Sequence, residues 1–153
     1  MIVKDIMKKD VATCAPTDSV ATAIKIMRDH RCGFLPVVDS HGVVTGVVTD
    51  RDLCFALADG RHRTPEHMAV KDAVSHPVFS CFPHENVKAV IATMAKHHVR
   101  RLTVLNEQGH LQGVLSMDDI VQAPRGRGTP TAEEIIDGLK GIYKPRPIES
   151  VAS

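Results

Sequence analysis

Residues 46–52 read GVVTDRD, and residues 113–119 read GVLSMDD. In each stretch an apolar run ends in a hydroxyl, Thr49 or Ser116, and a carboxylate follows three positions later, Asp52 or Asp119. Either stretch alone is a strand running into a helix start, because the hydroxyl can cap the helix and first-turn carboxylates favour its unpaired N–H groups. Capping does not explain why the chain does this twice. Gly113 follows Gly46 by 67 residues, and the same offset lays residues 3–54 on 70–121 without a gap. Sixteen of those 52 pairs are identical, from Val3/Val70 through Cys14/Cys81 and Ile24/Ile91 to Asp52/Asp119, where average residue usage gives about three by chance. The chain contains an internal duplication.

Each copy carries the same pattern. A short strand (VATC at 11–14, VFSC at 78–81) precedes a proline-containing turn. The spacing then predicts a helix with Val20, Ile24 and Met27 on one face, matched by Val87, Ile91 and Met94. An apolar strand follows (FLPVVD or RLTVLN), then a turn at Gly42 or Gly109, then a strand ending at Thr49 or Ser116. A second helix begins at Asp50 or Met117. The fold class expected is mixed α/β (α+β), each repeat β-α-β-β-α. Two units are too few for a solenoid and suit a pseudo-twofold pair, each half covering the other's apolar face.

The expected divisions are repeat 1 at 1–58, a linker at 59–69, repeat 2 at 70–123 and a C-terminal loop with a short helix at 124–153. The second helix of repeat 1 runs into the linker, which turns polar over 59–65. Residues 131–143 read as a helix with Thr131 and Glu134 at capping-box spacing and an apolar stripe of Ile135, Leu139 and Ile142. Gly138 and Gly141 each cost such a helix roughly 1 kcal/mol relative to alanine, so it needs something to pack on. The last residues, KPRPIESVAS, read as frayed.

Composition narrows the function. With 43% hydrophobic but 3% aromatic residues, the core must be aliphatic, and a net charge of +1 argues against nucleic-acid or anionic-membrane partners. No stretch approaches a membrane span, and MIVKDIMKKD lacks the apolar segment of a signal peptide. Cys14, Cys32, Cys54 and Cys81 are widely spaced, as expected of reduced thiols in a cytoplasmic protein; Cys14 and Cys81 read as small buried apolar residues. The nine histidines form no H-E-x-x-H, and His97 and His98 are adjacent and so on different helix faces, so no metal site is expected. Neither a phosphate-binding G-x-x-x-x-G-K nor a G-x-S-x-G occurs. The expectation is a sensor or regulator with no catalytic role.

Both copies fit Gly, apolar, any residue, Thr/Ser, two residues, Asp. On that motif, twice at one offset, residues 3–121 resemble the cystathionine-β-synthase (CBS) domain family, whose tandem pair is often called a Bateman module. The resemblance implies a regulatory ligand containing adenosine: AMP, ADP, ATP or S-adenosylmethionine. Asp52 or Asp119 would accept hydrogen bonds from both ribose hydroxyls, and Thr49 or Ser116 would donate to the ribose or phosphate. The adenine would meet backbone of the other repeat. One cleft would join Thr49 and Asp52 to Phe79 and Val99–Arg100, and the other would join Ser116 and Asp119 to Ala12 and Cys32–Gly33. Arg51, Arg100 and Arg101 are the expected phosphate contacts, all serving the Thr49/Asp52 cleft. The equivalents in the other cleft, Gly33, Phe34 and Asp118, offer no positive charge, so the Thr49/Asp52 cleft is expected to bind a phosphorylated adenosine better.

The family also implies a homodimer, and a module with no attached domain to regulate must act on an unidentified downstream protein. The rival reading is an interaction module whose 131–143 stripe docks on a partner enzyme or transporter. A third is a thiol-based redox regulator.

Overall fold

The computed structural model describes residues 1–59, 64–74 and 77–145; the middle of the expected linker (60–63) and the tail from 146 onward lie outside the described residues. Repeat 1 supplies α1 (Val20–Asp29), β1 (Phe34–Val38), β2 (Val44–Thr49) and α2 (Asp50–Asp59). Repeat 2 supplies α3 (Val70–Ala73), β3 (Ser80–Cys81), α4 (Val87–His97), β4 (Arg101–Leu105), β5 (Leu111–Ser116) and α5 (Met117–Gln122). The chain then adds α6 (Ala132–Ile142). No helix among the described residues is long and apolar enough to cross a membrane.

The duplication holds to fine detail. β1 pairs antiparallel with β2 from Phe34↔Thr49 to Val38↔Val44, and β4 pairs with β5 from Arg101↔Ser116 to Leu105↔Leu111. The register shifts at matched positions, between Val37 and Val38 and between Val104 and Leu105. Gly42 and Gly109 take φ of 80° and 81° in the hairpin turns, a region closed to most side chains. Ser19 caps α1 by accepting from the Thr22 amide at 3.0 Å, and Asn86 caps α4 by accepting from Lys88 at 2.9 Å.

The first strands are shorter than the sequence suggests, and unequally so. β3 pairs parallel with β4, but residues 11–14 shrink to a single bridge, Cys14↔Val37. The cause is Pro36. In repeat 2 the Thr103 amide donates to the Phe79 carbonyl at 3.2 Å. Pro36 is the matched residue and has no N–H, so no such bond can reach the Ala12 carbonyl.

A second departure is that each repeat lends its first turn to the other. Val3 starts a short 3₁₀ turn (Val3–Asp5), and its amide donates to Glu85 at 3.0 Å, while Lys4 donates to Pro83 at 2.9 Å. The matched pairs run the other way, Val70 to Asp18 at 2.8 Å and Lys71 to Pro16 at 3.0 Å. Val3, fully buried, therefore sits in the core of repeat 2 with Val87, Met94, Leu102 and Leu115. Val70, Ala73 and Met68 complete the core of repeat 1 around Val20, Leu35 and Val48. Fully burying a valine or methionine contributes about 1.5–3 kcal/mol, so each core depends on the exchange.

The motif glycines make room for the crossing segments. A Cβ at Gly113 would lie 2.5 Å from the Lys8 carbonyl oxygen, and one at Gly46 would lie 2.9 Å from Val74 Cγ1. Lys8 pairs with Val114 in both directions, each bond 2.9 Å long.

The matched first helices do not bury matched faces. Val87, Ile91 and Met94 are all buried, as expected, and so are Val20 and Met27, but Ile24 is 39% exposed. The difference is α6, which packs along α4; among the described residues no such helix lies along α1. Its two glycines are the contact: a Cβ at Gly138 would collide with Ile91 Cγ2, and one at Gly141 would lie 2.7 Å from Ala95 Cβ. The helix-forming penalty of these residues is thus offset by close approach to α4. Thr131 and Glu134 form the expected capping box, and Lys88 Nζ reaches Glu134 Oε1 at 2.8 Å. Ile135 and Ile142 are buried and Leu139 partly so. That corrects the rival reading above: the 131–143 stripe is spent on the chain's own α4 and is not a free docking face.

Candidate functional site

Each strand-to-helix junction holds its hydroxyl and carboxylate in one compact arrangement. The Thr49 amide and hydroxyl donate to Asp52 Oδ2 at 2.9 and 2.8 Å, and the Asp52 amide donates back to Thr49 Oγ1 at 3.2 Å. In repeat 2 the Ser116 amide donates to Asp119 Oδ2 at 2.8 Å, the Ser116 hydroxyl donates to the same oxygen, and the Asp119 amide returns to Ser116 Oγ at 3.2 Å. Both are reciprocal caps, which satisfy helix donors and fix the carboxylate's orientation. Asp52 is 7% exposed. The capping role is therefore present in both repeats, and it leaves each carboxylate with a preset direction.

Asp119 has a further partner that the sequence reading missed. Lys8 Nζ stands 3.3 Å from Asp119 Oδ1, with side-chain exposures of 71% for Lys8 and 9% for Asp119. Lys8 belongs to repeat 1 by sequence and arrives through the exchanged segment. It brings to Asp119 a positive charge that the matched positions Gly33, Phe34 and Asp118 do not offer.

The residues expected on the adenine side have part of their backbone committed. The Cys32 and Val99 amides donate to Met27 and Met94 at 2.9 and 3.0 Å, closing helix ends in which Arg31 and His98 take φ of 50° and 53°. The Gly33 and Arg100 carbonyls accept from Asp50 and Met117 at 3.3 and 3.0 Å, which ties each loop to the motif of its own repeat. The Phe79 carbonyl accepts from both the amide and the hydroxyl of Thr103, at 3.2 Å each, and the Phe79 ring stacks on His97 with centroids 4.3 Å apart. Ala12 is spared the equivalent ladder bond by Pro36.

Arg51 is exposed on the first turn of α2, Arg101 is paired in register with Ser116, and Arg100 Nη1 donates to the Tyr143 hydroxyl at 3.2 Å. Two cavities border the motif of repeat 1. One of about 470 Å³ is lined by Asp52, Phe55, Ala56, Asp59, Asp72 and Ala73, and one of about 330 Å³ by Pro16, Val37, Thr45, Gly46, Lys71 and Val74.

Cys14 and Cys81 are buried in separate cores. Burial, with a smaller effect from Asp18, pushes the Cys14 thiol up to about 11, and burial with a smaller effect from Glu85 pushes Cys81 up to about 12. At neutral pH both stay protonated, which makes them weak nucleophiles. Among the described residues no group of three His, Cys, Asp or Glu side chains is arranged to hold a metal ion.

The chain matches the family model for the CBS domain twice, over residues 3–59 and 70–126. It is 34% identical over 120 residues to the CBS domain-containing protein YhcV of Bacillus subtilis, covering 77% of this chain and 81% of that one. It is 35% identical over 121 residues to the 5′-AMP-activated protein kinase subunit gamma-3 of Homo sapiens, covering 75% of this chain but 24% of the relative. Among solved structures it resembles the CBS domain pair of protein MJ0100 in complex with 5′-methylthioadenosine and S-adenosyl-L-methionine. There the TM-score is 0.71 and the identity 27%, over 80% of this chain and 94% of the other.

Proposed function

Since the chain belongs to the CBS-domain family, with two copies of the domain in tandem, we propose that it is a regulatory module that binds an adenosine-containing ligand at its Thr49/Asp52 and Ser116/Asp119 pairs. The observation that carries this reading is the repeated junction, in which one carboxylate is buried or nearly so, oriented by its own cap and set at a strand end. A carboxylate so held can accept from vicinal ribose hydroxyls without first paying to order itself. The MJ0100 pair, 27% identical, supports the ligand class, since it was solved with two adenosine compounds. AMP, ADP, ATP and S-adenosylmethionine share the sugar that the motif reads.

The adenine side would use backbone groups to which no other described residue bonds, such as the Gly33 amide and the Cys32 carbonyl. Occupancy would be reported to a downstream protein by a shift between two arrangements of the repeats, driven by the ligand's differential affinity for them.

Isothermal calorimetry with the four ligands tests this. Wild-type protein should bind at least one saturably, and Asp52→Asn or Asp119→Asn should weaken binding by about tenfold or more, since a hydrogen bond to a charged acceptor contributes about 1.5–3 kcal/mol. Asparagine keeps an oxygen for the cap, so lost binding in a normally folded variant reports the charge. Folded wild-type protein that takes up none of the four ligands defeats the proposal.

We also propose that two such modules pair. Ile24 on α1 is exposed where its counterpart Ile91 is covered by α6, and a second copy is the covering we assign to it. Sedimentation should give a dimer at micromolar concentration, and Ile24→Lys should shift it to monomer; a monomeric wild type refutes the pairing.

A further inference from the structure

The two motif sites differ in ways that the duplication hides, and Lys8 stands at the Ser116/Asp119 one. Lys8 is anchored by its backbone to Val114, two residues before Ser116, through bonds of 2.9 Å in each direction. The residue is thus fixed while its side chain remains 71% exposed and ends 3.3 Å from Asp119 Oδ1. The other oxygen of that carboxylate is held by Ser116, so Lys8 and the cap divide the two oxygens between them. The residue matched to Lys8 in sequence is Ser75, so the duplication does not repeat this lysine. Pro36 adds a second difference. Its missing N–H spares the Ala12 carbonyl, whereas Phe79, the matched residue, gives its carbonyl to Thr103 twice.

We infer that Lys8 is a specificity-determining residue, which makes the Ser116/Asp119 site the one that selects a 5′-phosphorylated adenosine over the bare nucleoside. The inference rests on the adenosine-ligand reading above and reverses the preference expected from Arg51, Arg100 and Arg101. The Lys8 side chain is 71% exposed, so its ammonium can turn from Asp119 to a ligand phosphate without leaving solvent, and the ribose hydroxyls then take its place at the carboxylate. A phosphate one sugar ring away offers it a stronger, charge-assisted partner. Once Lys8 turns to the phosphate, Asp119 Oδ1 is open to the ribose hydroxyls that a phosphate-bearing ligand brings with it. A nucleoside without phosphate must instead share the carboxylate with the ammonium. The Ala12 carbonyl is an acceptor for the exocyclic amine of adenine, a group that the Phe79 carbonyl is less able to serve.

The test is calorimetry of the full chain with AMP and with adenosine. Wild-type protein should prefer AMP by about tenfold or more, the scale of a charged hydrogen bond. Lys8→Met should cut that preference to about twofold or less, chiefly by weakening AMP, and Lys8→Arg should retain it. An unchanged ratio of AMP to adenosine affinity in Lys8→Met overturns this inference alone. Failure of wild-type protein to bind either ligand overturns the adenosine reading and the inference together.

Discussion

Gly113→Val should loosen the N-terminal segment from repeat 2 and destabilise the protein by about 2–3 kcal/mol, the upper part of the range for overpacking. The first added carbon meets a backbone oxygen, that of Lys8, at 2.5 Å, with Met7 Sδ close behind at 3.3 Å. Backbone cannot turn aside as a side chain can, so the paired Lys8 and Val114 bonds must lengthen or break. Strand propensity pulls the other way, since replacing a strand glycine gains roughly 0.5–1 kcal/mol, and the clash is the larger effect. Gly46→Val offers the control. Its nearest obstacle is the Val74 side chain at 2.9 Å, which has rotamers to use, so the cost there should be smaller. Urea unfolding measures both, and amide exchange at Lys8 and Val114 locates the damage. Equal stability of Gly113→Val and wild type, with those amides still protected, would show that the crossing segment is not fixed by this contact.

Residues 1–59 made alone should not fold. By sequence they are a complete repeat, but their core lacks Met68, Val70 and Ala73, which arrive from beyond the linker. Losing the burial of one methionine and one valine removes about 3–6 kcal/mol, against a typical net stability of 5–15 kcal/mol for a whole domain. The fragment also carries Val3 with no second repeat to receive it. Circular dichroism should show little helix or sheet, and adding a fragment of residues 64–153 should restore both. A cooperative thermal transition in 1–59 by itself would mean that the exchange is dispensable.

What the sequence made legible is local or repeated. The hairpins, their glycine turns, the helix starts at Asp50 and Met117 and the Thr131 cap all follow from contacts within a few residues, where pattern and structure are tied. The exchange was hidden because it joins residues such as Val3 and Glu85, which no periodicity connects. Lys8 was missed for the same reason: reading the repeats as separate units assigned it to the wrong one. Ile24 and Ile91 fall on matched helix faces by periodicity, yet Ile91 is covered by α6, an element outside the repeat, while Ile24 is left 39% exposed. Pro36 was visible throughout. Its consequence for Ala12 appears only when the strand that would have needed its N–H is known. Gly138 and Gly141, three apart on the face that carries Ile135 and Ile142, are the signal that a close helix contact was coming.

Tyr143 closes α6 with its hydroxyl on Arg100, and it is the one tyrosine in a chain without tryptophan. The tyrosine emission of the protein therefore comes from a single point at the end of the C-terminal helix. Its anisotropy and quenching report directly, with no label attached, whether that helix is seated on α4 or has left it.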